Sequence, residues 1–160
     1  MARRIVLTSP LAPDAIARKM RKVLGGRTAK PARGVTGNGS EQTMTLFYFR
    51  PNIRNSFQTT LVATMEPADG GTRIEGKIGP PAGVFVFLGC WFGFLIVFLA
   101  MVVGGMAASG APTEAIVPFV AIPLAMMGFG AMLYRLGTWN AKKDKAAILE
   151  FLATTVEARP

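Results

Sequence analysis

Two stretches without a single charged side chain constrain this chain more than any other feature. Residues Ile78 to Thr113 contain no Asp, Glu, Lys or Arg, and neither do Ala115 to Tyr134. A helix rises about 1.5 Å per residue, so roughly 20 apolar residues cross the hydrocarbon core of a bilayer. Both stretches reach that length.

The first span is expected at about 84–104, "VFVFLGCWFGFLIVFLAMVVG", where fourteen of 21 residues are Val, Leu, Ile or Phe. At roughly 0.3–0.6 kcal/mol each they favour insertion by about 4–8 kcal/mol, with no charge opposing them. A buried core helix would need a larger soluble shell than the rest of a 160-residue chain supplies. The second span is expected at about 115–136, where Pro118 and Pro123 interrupt the apolar run. Membrane helices tolerate proline when a neighbouring helix or a kink accommodates the freed carbonyl. "MARRIVLTSPLAPD" lacks the apolar run of a signal peptide, so the first span is expected to act as its own insertion signal.

Charge orients the spans. Residues 1–80 carry 13 Lys/Arg against 5 Asp/Glu, and residues 135–160 carry 5 against 3. The connecting loop 105–114 has no Lys or Arg and one acid, Glu114. The positive-inside rule then places both termini in the cytoplasm and the loop in the periplasm or its equivalent, as in a bacterial inner membrane. The same rule accounts for the sequence pI of about 10.5 without nucleic acid as a partner.

Outside the spans the pattern is α+β. "RRIVLTS" reads as a strand, and Pro13 to Leu24 as a helix with Asp14 in its first turn. Ile16, Met20, Val23 and Leu24 form its apolar stripe. Asn38-Gly39 signals a hairpin turn between extended runs. Strands follow at Thr43–Phe49, at Phe57–Glu66 and in "TRIEGKI". After the spans, "DKAAILEFLATTVEA" reads as a helix capped by Asp144, with Ile148, Leu149, Phe151, Leu152 and Val156 on its apolar side. The expected architecture is a β-α-β-β-β part at 1–81, an antiparallel two-helix transmembrane hairpin at 82–136, and a helix in 137–160. That last helix completes a cytoplasmic α+β module, an antiparallel meander carrying two short helices on one face.

Few residues offer chemistry. There is no histidine, and Cys90, the single cysteine, lies in the first span. The carboxylates show no paired or metal-binding spacing. No cofactor, metal or enzymatic reaction is therefore expected. Two basic clusters remain. On the first helix, Arg18, Lys19, Arg21 and Lys22 suit anionic lipid headgroups, or are simply solvated. In "FYFRPNIRNSF", Arg50, Arg54, Asn55 and Ser56 crowd one hairpin end, where an anion grip is the alternative to plain turn chemistry. The strand leading there alternates Met44, Leu46 and Tyr48 with Phe47 and Phe49, so it is apolar on both faces. Its second face then has a membrane, a partner or a ligand to meet.

Small residues are expected to pack the spans together. Gly89 and Gly93 form a GxxxG step facing the Ala121, Ala125, Gly128 and Ala131 stripe of the second helix, with a second copy as the alternative partner.

Arg54-Asn55-Ser56-Phe57, the strand Gly71 to Ile78 and the two spans together resemble a group of small uncharacterised bacterial two-span membrane proteins with a cytoplasmic α+β part. The resemblance implies this architecture and carries no activity. The function expected is a non-catalytic accessory or binding element of a membrane assembly, with membrane lipid and another membrane protein, or itself, as partners. An anionic-lipid or small-anion module using Arg50 and Arg54, or an enzyme acting on lipid headgroups, are the alternatives.

Overall fold

A computed structural model describes residues 3–24, 34–50, 56–110 and 112–159. The chain divides into two compact units, 1–81 with 138–160, and 82–137.

The first unit holds strands β1 (Arg3–Ser9), β2 (Gly34–Gly39), β3 (Thr43–Phe49), β4 (Thr60–Ala68) and β5 (Gly71–Gly79). They form one antiparallel sheet in the order β1-β5-β4-β3-β2. Cross-strand partners share a face, so the register Leu7↔Ile74↔Met65 and Met44↔Ala63, with Leu46↔Leu61↔Ile78, gathers the apolar set on one side. Helices α1 (Pro13–Leu24) and α4 (Ala141–Val156) cover that side. Ile16, Met20, Ile148, Leu152 and Val156 have no exposed surface there. The other side carries Arg4, Val6, Arg73, Glu75, Lys77, Val62 and Thr64.

Three local expectations are corrected. Val23 is 57% exposed, and Ala17 is buried in its place. At about 100° per residue, Ile16, Met20, Leu24 and Ala17 share one arc of roughly 100°, and Val23 falls outside it. Residues Gly34–Gly39 form a strand of their own, and Asn38 and Gly39 pair with Thr45 and Met44 instead of turning. The turn lies later because the Ser40 hydroxyl accepts the N–H groups of Gln42 (3.3 Å) and Thr43 (3.0 Å). Glycine suits this unpromising strand at Gly37, where a Cβ would fall on the Thr45 carbonyl oxygen. Finally, Asp144 does not cap α4: Asn140 holds that position without a side-chain bond, and Asp144 is buried.

The return of the chain to β1 is tied by polar groups. The buried Ser9 hydroxyl donates to the Val156 carbonyl (2.5 Å), and Thr72 donates to the Leu11 carbonyl (2.6 Å). Glu157 adopts a left-handed φ of 56°, and Arg159 then exchanges two backbone hydrogen bonds with Thr8. That pairing covers part of the outer edge of β1.

The second unit consists of α2 (Ala82–Ala108) and α3 (Thr113–Thr138), both long and apolar enough to cross a membrane. Helix α2 runs on through Gly104-Gly105, so most of the expected loop 105–114 is helix. Between the helices stand large side chains. Phe85 meets Tyr134 edge-on at 6.1 Å, and Phe92 lies 3.4 Å from where a Cβ of Gly130 would be. Phe94, Leu95 and Phe98 line an apolar cavity with Phe119, Ile122 and Pro123. The expected small-residue interface is not there. Gly89, Gly93 and Gly128 have nothing within 4 Å of a built Cβ, and Ala121, Ala125 and Ala131 are exposed. Among the described residues of α3, Pro123 and Gly130 are buried, and Gly130 faces the Phe92 ring of α2. Bulky rings on the inner side hold the two backbones too far apart for glycine-to-glycine contact.

Consequently Gly130→Leu should lower the thermal midpoint of the detergent-solubilised protein by several degrees, because the new side chain collides with Phe92. Gly93→Leu should leave the midpoint within a degree or so of the parent. Equal losses in the two variants would contradict this packing.

Candidate functional site

The most elaborate polar arrangement in the first unit centres on Arg50. It follows β3 directly, on the same side of the strand as Tyr48, and its guanidinium sits 4.8 Å from the Tyr48 ring centroid. Both terminal nitrogens donate to the carboxylate of Asp144, Nη1 to Oδ2 at 3.0 Å and Nη2 to Oδ1. Asp144 lies in the first turn of α4, four residues before Ile148, and only 4% of it is exposed. The Arg50 side chain keeps 20% of its surface. The hydrogen bond to Asp144 raises the Arg50 pKa above its ordinary value, against a smaller opposing effect of burial. A nearby hydroxyl adds a second tie, as Thr59, buried just before β4, donates to the Ala141 carbonyl at 3.5 Å. The start of α4 is thereby held to both flanks of the β3–β4 connection.

This geometry answers where the candidate anion ligands lie. Arg50 is turned to an internal carboxylate in a bidentate pair, so two of its donors are already used. Ser56 is exposed, and Arg54 and Asn55 lie outside the described residues.

The basic residues of α1 divide in two. Arg18 pairs with Asp14 one turn earlier (2.6 Å), and Lys19 approaches Glu157 (3.8 Å). These are exposed pairs of small energetic weight. Arg21 and Lys22 are exposed and form no ion pair among the described residues.

The uncovered side of the sheet has its own electrostatics. Glu75 accepts from Arg4, in the neighbouring strand, and from Arg73 (3.3 Å), which sits two residues away on β5. The Arg4 hydrogen bond holds the Glu75 carboxyl below its ordinary 4.5. Phe47 and Phe49 lie on this side and are half-buried, next to β2 and the start of β4. Among the described residues no group of three or more His, Cys, Asp or Glu gathers as a metal site would require. Compared with known proteins, the chain matches no family model and no curated protein.

Sequence reasoning missed the Arg50–Asp144 pair, although a signal was present. Asp144, Ile148, Leu152 and Val156 recur every four residues, so Asp144 belongs to the buried stripe of its helix. A carboxylate there needs a cation. Its partner is 94 positions away, which no local pattern reveals.

Asp144→Ala should destabilise the first unit by about 3 kcal/mol, the low end for breaking a buried pair, since Arg50 retains some contact with water. The double change Arg50→Met with Asp144→Leu should recover most of that loss. Denaturant titration of the detergent-solubilised chain measures both, and a double variant as unstable as the single one would refute the account.

Glu75 makes a prediction about pH. Its folded pKa is lowered, so its contribution is present above pH 4.5 and disappears as pH falls through the folded value. Between about pH 5 and pH 3, Glu75→Gln should lose less stability than the parent chain.

Proposed function

We propose that the chain is a two-span membrane protein whose α+β unit is a non-catalytic binding or accessory element, on the side of the membrane that holds both termini. One observation carries the reading. Residues 3–79 and 141–159 build a single core, with α4 closing the sheet made before the two apolar helices. A chain that leaves this unit and returns to complete it must cross a bilayer an even number of times. Two helices of 27 and 26 residues supply two crossings.

The outer surfaces of those helices support the same reading. Val86, Phe87, Val97, Met101, Val117 and Leu124 are each more than half exposed. Apolar surface on this scale is stable in lipid, not in water. Phe85 meets Tyr134, Phe92 meets Gly130, and Phe94 to Phe98 share a cavity with Phe119 to Met126, so the contacts descend α3 as they ascend α2, which suits an antiparallel hairpin. The charge asymmetry of the flanks favours a cytoplasmic α+β unit. The non-catalytic reading rests on a composition without histidine and on the lack of clustered carboxylates among the described residues.

Cysteine scanning tests the topology. In a Cys90→Ser background, Ser109→Cys should react with a membrane-impermeant maleimide in intact cells. Ser40→Cys should react only after the cells are opened. Labelling of Ser40→Cys alone in intact cells would overturn the orientation, and labelling of both would overturn the spans.

A further inference from the structure

We propose that the α+β unit carries an anionic-lipid-binding surface at one end of its sheet, built from Lys77 on β5, Lys142 and Lys143 on α4, and Arg3 on β1. This deepens the membrane reading above and rests on it. It also moves the lipid contact away from α1 and from Arg50.

The end concerned is defined by connectivity. β5 finishes at Gly79, opposite Thr60, and only Pro80 and Pro81 precede α2. Those three steps of chain span at most about 11 Å. Thr59 binds Ala141, so α4 begins at this same end. If α2 and α3 cross a bilayer, this end is tethered at two points close to the headgroups.

Its cations are placed against local rules. Arg4 and Lys77 are direct cross-strand partners, and like charges so placed repel. Glu75 relieves Arg4 and Arg73, leaving Lys77 without an ion pair among the described residues. Lys142 and Lys143 stand in the first turn of α4, where the helix dipole disfavours positive charge. They too are exposed and have no ion pair among the described residues. The one carboxylate of that turn, Asp144, is buried against Arg50.

The other end of the unit differs. Glu41, Glu66, Asp69 and Glu157 lie in or beside the turns there. Arg73, Lys19 and Arg18 are neutralised by carboxylates. Lys77, Lys142 and Lys143, which share this end and each stand where a positive charge costs folding energy, indicate an anionic partner outside the chain. A headgroup layer fits, because it offers many anions over a broad surface and attracts each nearby lysine by ~1 kcal/mol.

The test is lysine acetylation, read residue by residue by mass spectrometry, on the full-length protein in nanodiscs. Discs of phosphatidylcholine are compared with discs containing about 30% phosphatidylglycerol. Lys77, Lys142 and Lys143 should react about fivefold more slowly in the anionic discs, and the difference should largely vanish at about 0.5 M salt. Lys19 and Lys22 should change less. Equal rates in both discs, or slowing as large at Lys19 and Lys22, would overturn the proposal. Alkaline carbonate separates the two levels. A chain stripped from native membranes by it fails the two-span reading, whereas one that stays but shows no lipid-dependent slowing fails only this inference.

Discussion

The packing of α4 on the sheet governs the rest of this molecule. Ile148, Leu152 and Val156 are fully buried against strands formed more than 60 residues earlier in the chain. Burying each such side chain contributes roughly 1.5–3 kcal/mol, a large share of the stability available to a unit of this size. The Arg50–Asp144 pair sets where that helix starts. Its bidentate geometry admits one orientation of the guanidinium, and Tyr48 supports it from beneath. The pair adds direction more than energy, as buried ion pairs generally recover little beyond their desolvation cost.

From that packing comes an ordering in assembly. When residues 3–79 have been made, part of the apolar face around Leu46, Leu61 and Ile74 still lacks its cover. The cover arrives only with residues 141–156, after both apolar helices. Folding of the α+β unit is thus coupled to placement of the helices between its two parts. Until residues 141–156 arrive, the half-core stays exposed, and such a surface is where aggregation starts.

Legibility in the sequence varied with the range of the deciding interaction. Helix α1 was readable to the residue because its limits are local: Pro13 at its start, and the glycines following Leu24. Its buried side was shifted by one position, since the centre of the stripe depends on which strands it meets. The β2–β3 turn was misplaced because Asn38-Gly39 has turn propensity in isolation. Pairing with β3 and the Ser40 hydroxyl together outweighed it. The span interface was misassigned for a related reason. Small residues permit close approach, but Phe85, Phe92 and Phe98 on the same helix decide whether approach happens.

What the sequence determined unaided were the two long apolar helices, the alternation of the strands and the asymmetry of charge around the apolar stretches. Each depends on composition or on a period of a few residues, and such signals survive in any fold the chain adopts. Only the tertiary structure decided that β1 closes the sheet beside β5, that Asp144 belongs to Arg50, and that Lys77, Lys142 and Lys143 share one end. Those facts depend on contacts between residues tens of positions apart. Their geometry is set by the common core and not by any local preference.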